Sequence, residues 1–208
     1  MAICTHATLS VTPPRAVHGA GAGSSRINPQ ALDTPLEELR RRAGDAVHVS
    51  YTAGYDPCSC AHDAAAIDAA VAAAQSADRV VVLVGLPSAF ETESCDREHM
   101  RLPEQMNMLV AAVAVVAADR LVVVLLGGAP VELPWLDGVA SLLYMGLGGQ
   151  AMGSALAALL FGDASPSGKL AETWPLRAED CASHTNFARH PRQVLVCLIW
   201  RLHTATDP

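Results

Sequence analysis

The chain has 208 residues, of which 51% are hydrophobic, 17% charged and 4% aromatic. That length fits one domain of about 100–200 residues with tails, and the apolar share excludes a disordered chain. Fourteen Lys and Arg against 21 Asp and Glu leave a formal net charge of -7, so no basic surplus exists to bind nucleic acid phosphates.

The chain opens on Met1-Ala2-Ile3-Cys4-Thr5-His6, with neither a charged leader nor a continuous apolar run. No secretory signal is evident, and a cytoplasmic location is expected. Cysteines stand at 4, 58, 60, 95, 181 and 197. Their spacing matches no zinc pattern, and free thiols are expected rather than a disulfide framework. No metal or cofactor is expected. A short strand is expected at Ala7–Val11, before Pro13-Pro14. Gly19-Ala20-Gly21-Ala22-Gly23 is followed by Ser24-Ser25 and Asn28-Pro29, which reads as a turn and not as a dinucleotide fingerprint.

A helix starts at Thr34-Pro35-Leu36-Glu37, with Thr34 as N-cap, Pro35 at the first helical position and Glu37 completing a capping box; Gly44 ends it. Residues 46–51 alternate apolar and polar as a short strand, and 54–62 form a loop holding Cys58 and Cys60. Ile67, Ala70, Val71 and Ala74 recur at helical spacing within 62–77. Val80-Val81-Val82-Leu83-Val84 is continuous and β-branched, as a strand covered on both faces requires.

A helix over 103–118 follows, then buried strands over 121–126 and 139–145 and a helix over 150–161. Met108–Ala118, the longest apolar stretch, has 11 residues against the roughly 20 that span a bilayer, so no membrane partner is expected. Gly162–Lys169 lacks the spacing of a phosphate loop and reads as a sheet-to-sheet turn. This alternation predicts an α/β fold, a mostly parallel sheet with helices on both faces. Ligands of such sheets bind beyond the carboxyl ends of the strands.

The loop after the valine strand carries Glu91, Glu93, Asp96 and Glu98 beside Arg97 and His99. Composition alone leaves two readings: a solvated charged loop, or a loop in which one partly buried carboxyl acts as a proton donor. Asp96 and Arg97 are expected to form a local ion pair. Trp135, after Pro134, suits core packing or stacking on a sugar ring.

Several ordered pieces carry a resemblance. Glu91-Thr92-Glu93-Ser94-Cys95-Asp96-Arg97 resembles an E-x-E-G-x-D-R loop, and Leu102-Pro103-Glu104-Gln105 an L-P-x-x-Q helix start. Gly128-Ala129-Pro130-Val131-Glu132-Leu133-Pro134-Trp135 is similar to a G-x-P-V-E-x-P-W turn. Gly21–Ser25 with Asn28-Pro29, Gly148-Gly149-Gln150, Phe161-Gly162-Asp163, Pro166–Leu170 and Thr173-Trp174-Pro175 complete the series. Together they resemble the carboxy-terminal domain of glycoside hydrolase family 3, the β-glucosidase and β-xylosidase family.

The resemblance implies a six-stranded α/β sandwich that follows a barrel domain bearing an aspartate nucleophile. It implies a retaining glycosidase with Glu93 as acid/base, and Glu91, Asp96, Arg97 and Trp135 shaping the loop or lying near substrate. A barrel alone needs about 250 residues, so the nucleophile is expected from a partner polypeptide, without which a β-glycoside would not be turned over. The alternative is a catalytically inactive, truncated remnant acting as a sugar-contacting or assembly module.

Ser94 and Cys95 depart from the family's glycine and aromatic. If that glycine has positive φ, a serine costs about 1 kcal/mol. Residues 1–20 and 188–208 read as divergent ends around a domain at 21–187, implying that part of the family domain is missing at both ends and that the reading frame is broken there.

Overall fold

The computed structural model describes residues 6–10 by their backbone and 28–56, 61–87, 90–94, 96–181 and 184 in full. The glycine-rich stretch 19–25, the Cys58 and Cys60 pair, Cys95 and the segment 188–208 lie outside the described residues. Among the described residues five strands and four α-helices follow in order: β1 (His6–Ser10), α1 (Pro35–Ala43), β2 (His48–Tyr51), α2 (Ala64–Ser76), β3 (Arg79–Gly85), α3 (Glu104–Ala117), β4 (Leu121–Leu126), β5 (Ser141–Gly146) and α4 (Met152–Leu160). Among the described residues no helix is long and apolar enough to cross a membrane.

Local chemistry accounts for the helix starts. The Thr34 hydroxyl accepts from the Glu37 N–H at 3.4 Å, with Pro35 in the first turn, and Gly44 closes α1 at φ 54°. The box is not reciprocal as expected: the Glu37 carboxylate accepts from the Thr34 hydroxyl at 2.6 Å instead of from its backbone. Asp63 caps α2 through the Ala66 N–H at 3.1 Å.

The strands pair in parallel in the order β2-β1-β3-β4-β5. β1 pairs with both β2 and β3 although it belongs to the segment that reads as divergent. After β2 the chain crosses back over β1 to β3, so the winding direction reverses between β1 and β3, the position where open α/β sheets bind ligands.

Alternate side chains of β3 feed two cores. Val80, Val82 and Val84 join Leu121, Val123 and Leu125 beneath α2 and α3, with Ile67, Met106, Leu109 and Val113. Val81 and Leu83 join Val124 and Leu126 against α1 and α4, through Leu39, Met152 and Leu156. Burial on both faces explains the unbroken valine run, because a parallel strand between two helical layers has no wet side.

Two expectations change. The strand expected at 139–145 is β5 at Ser141–Gly146, and it is an edge strand with Ser141 exposed and the rest only half-buried, since no strand pairs beyond it among the described residues. The 162–169 segment does not join sheets. It leaves α4 as exposed irregular chain, with Asp163 held by Arg42 of α1 in a two-point pair at 2.5 and 2.6 Å.

Candidate active site

The acidic loop leaves the carboxyl end of β3, one of the two strands that flank the winding reversal. β3 and β4 approach closely there: a Cβ on Gly85 would lie 2.4 Å from the Leu126 carbonyl oxygen, and the Leu86 N–H donates to that oxygen at 3.1 Å. A turn follows, with the N–H groups of Phe90 and Glu91 donating to Pro87 O at 2.8 and 3.1 Å. The next residues are tied to the turn after β4 at two points.

The first tie is Glu91. Its side chain is half-buried, and Oε1 accepts from the Gly128 N–H at 2.5 Å. A Cβ at position 128 would stand 2.8 Å from that oxygen and 3.1 Å from Leu147 Cδ1, so glycine there permits the approach. The second tie is Arg97, whose Nη2 donates to Pro130 O at 3.2 Å. The expected ion pair with Asp96 is not made: Asp96 is exposed, while Arg97 turns inward to a carbonyl that offers a hydrogen bond away from solvent.

Glu93 lies between the two ties and is exposed. Ser94 after it has φ 65°, the left-handed region in which a side chain is strained. Relief of that strain is measurable: Ser94→Gly is expected to raise unfolding free energy by about 1 kcal/mol in a urea titration. An unchanged midpoint would show that the loop relaxes around the serine at no cost.

Trp135 is buried at 6% exposure and packs in the α2–α3 core, with its indole N–H donating to Asn107 Oδ1 at 2.9 Å. Its place is in the core, holding the segment after β4 against α3. Two residues that sequence reasoning assigned no role complete the arrangement. The Tyr144 hydroxyl of β5 donates to Gly127 O at 2.7 Å. Trp174 meets the Tyr144 ring edge-on, with centroids 5.0 Å apart, and donates through its indole N–H to Val131 O at 2.7 Å. Burial first, then the charges of Glu91 and Glu172, raise the Tyr144 phenol above its ordinary range, so it stays a proton donor. Trp174 had a signal in its Thr-Trp-Pro setting. Tyr144 had none, because its partner is a backbone carbonyl.

A doubly wound parallel domain with a carboxylate-bearing loop clamped at its carboxyl edge is the scaffold of a site-forming α/β domain. The description of a glycosyl hydrolase family 3 C-terminal domain matches residues 5–201, and the chain belongs to that family. The match is wider than the span 21–187 marked by the motifs.

The chain is 48% identical over 167 residues to thermostable beta-glucosidase B of Acetivibrio thermocellus, covering 80% of this chain and 22% of that protein. The crystal structure of a Bifidobacterium adolescentis GH3 beta-glucosidase superposes with a TM-score of 0.79 at 35% identity, covering 89% of this chain and 27% of that one. A beta-glucosidase from Kluyveromyces marxianus, solved in complex with glucose, gives a TM-score of 0.57 at 40% identity over 59% of this chain and 15% of that one. The chain therefore spans about a fifth of the length of the curated relative of Acetivibrio thermocellus.

Proposed function

We propose that these residues form the acid/base half of a retaining β-glucosidase-like hydrolase, with Glu93 as the proton donor and acceptor. The observation that carries this is the position of Glu93 between the Glu91–Gly128 and Arg97–Pro130 ties: an exposed carboxyl on a loop fixed on either side. A general acid needs such placement, since proton transfer demands hydrogen-bond reach to one substrate oxygen. In the first step Glu93 protonates the glycosidic oxygen as the nucleophile forms the glycosyl-enzyme. In the second it takes a proton from the water that cleaves that intermediate. The nucleophile lies outside these 208 residues, on a barrel that would place it about 5–5.5 Å from Glu93.

One observation favours the second reading, a module that contacts sugar or assembles without turning over. Ser94 sits in a left-handed conformation that disfavours any side chain, and relaxation there would carry Glu93 out of line. Purified chain, assayed for aryl β-glucoside hydrolysis alone and mixed with a barrel fragment bearing the nucleophile, separates the two. We expect no turnover alone and turnover in the mixture. An inert mixture of two folded, associated pieces selects the silent module.

A further inference from the structure

We propose that Tyr144 is a positioning residue for the acidic loop, acting through the single amide that joins Gly127 to Gly128. The inference rests on the reading of this loop as the acid/base carrier. The carbonyl of that amide accepts from the Tyr144 hydroxyl at 2.7 Å, and its N–H donates to Glu91 Oε1 at 2.5 Å. Both bonds therefore fall on one peptide plane. A hydroxyl that polarises the carbonyl makes the N–H opposite a stronger donor, because hydrogen bonds sharing one amide reinforce each other. The acceptor is a carboxylate, and charge-assisted bonds are the strong class.

The source of the chain is itself held. Trp174 covers the Tyr144 ring from the edge while its own N–H is anchored on Val131 O. Glu91 Oε2 is buried and makes no hydrogen bond among the described residues, so the hold on this carboxylate that they supply is concentrated in Oε1. Gly128 cannot gain a side chain without striking Oε1 or Leu147. The edge strand thus reaches the acidic loop through this amide, two residues before Glu93.

Hydrogen exchange of the Gly128 amide tests the inference on this chain. Tyr144→Phe keeps the ring against Trp174 and removes only the hydroxyl. Exchange at Gly128 is expected to accelerate about two- to fivefold, the factor set by taking about a tenth to a third from the strength of one charge-assisted bond. The Val82 and Val123 amides of the central strands are expected to keep their rates. Glu91→Gln, which leaves both aromatic rings in place, gives a second reading: the Gly128 amide proton moves upfield and its exchange accelerates. Unchanged Gly128 exchange in Tyr144→Phe, whatever Glu91→Gln does, or equal acceleration at Val82 and Val123, overturns the proposal. The readout is exchange and not turnover, so its failure is distinct from failure of the glycosidase reading.

Discussion

Glu93→Gln, in this chain combined with a nucleophile-bearing barrel, is expected to lower hydrolysis of an alkyl β-glucoside about 10²–10⁴-fold, the range a positioned general acid supplies. An alkoxide leaving group depends on protonation, so the loss is largest there. A nitrophenolate leaves with little help, so its glycosylation step is expected to lose less. The basic limb of a kcat/KM profile reports the acid in the free enzyme, so it is expected to disappear in this variant.

Glu91→Gln is the control that separates placement from proton transfer. The glutamine keeps an oxygen for the Gly128 N–H, so the loop stays tied and the loss is smaller than for Glu93→Gln. Hydrolysis by Glu93→Gln at the wild-type rate, with Glu91→Gln inactive, would move the proton to Glu91, whose Oε2 is buried without a hydrogen bond.

The second large effect falls on stability. Trp135→Ala removes a ring buried at 6% exposure and leaves Asn107 without its indole donor. Truncation of a buried tryptophan costs about 3–5 kcal/mol. For a chain of this size that lowers the melting temperature by roughly 6–20 °C. Trp135→Phe keeps most of the apolar contact and is expected to cost far less. Thermal unfolding of the two variants checks this. A stable Trp135→Ala protein that had lost only sugar affinity would restore the reading of this ring as a stacking surface.

How much of this was legible before any coordinates is seen best by comparing neighbours. The valine strand, its helices and the cap at Thr34 were readable because their causes are local: β-branching, helical spacing, a hydroxyl three residues from an N–H. β5 was placed within two residues but its environment was not, since Val139–Met145 is mostly apolar, like a central strand, despite Ser141. Asp96 and Arg97, adjacent in sequence, suggested an ion pair, yet Arg97 donates to Pro130, 33 residues away. Adjacency along an extended chain turns neighbouring side chains apart, and solvent already satisfies an exposed carboxylate.

The amino-acid sequence by itself determined the α/β class, the parallel sheet, the family and the one loop in which carboxylates gather, because periodicity and motif spacing are properties of short segments. Only the tertiary structure decided that β1 lies between β2 and β3, and that two ties to the β4 turn bracket Glu93. It alone brought Tyr144 and Trp174 to the back of that turn. These depend on pairings between distant segments, many of them to backbone carbonyls and amides, which every residue carries and no sequence pattern marks.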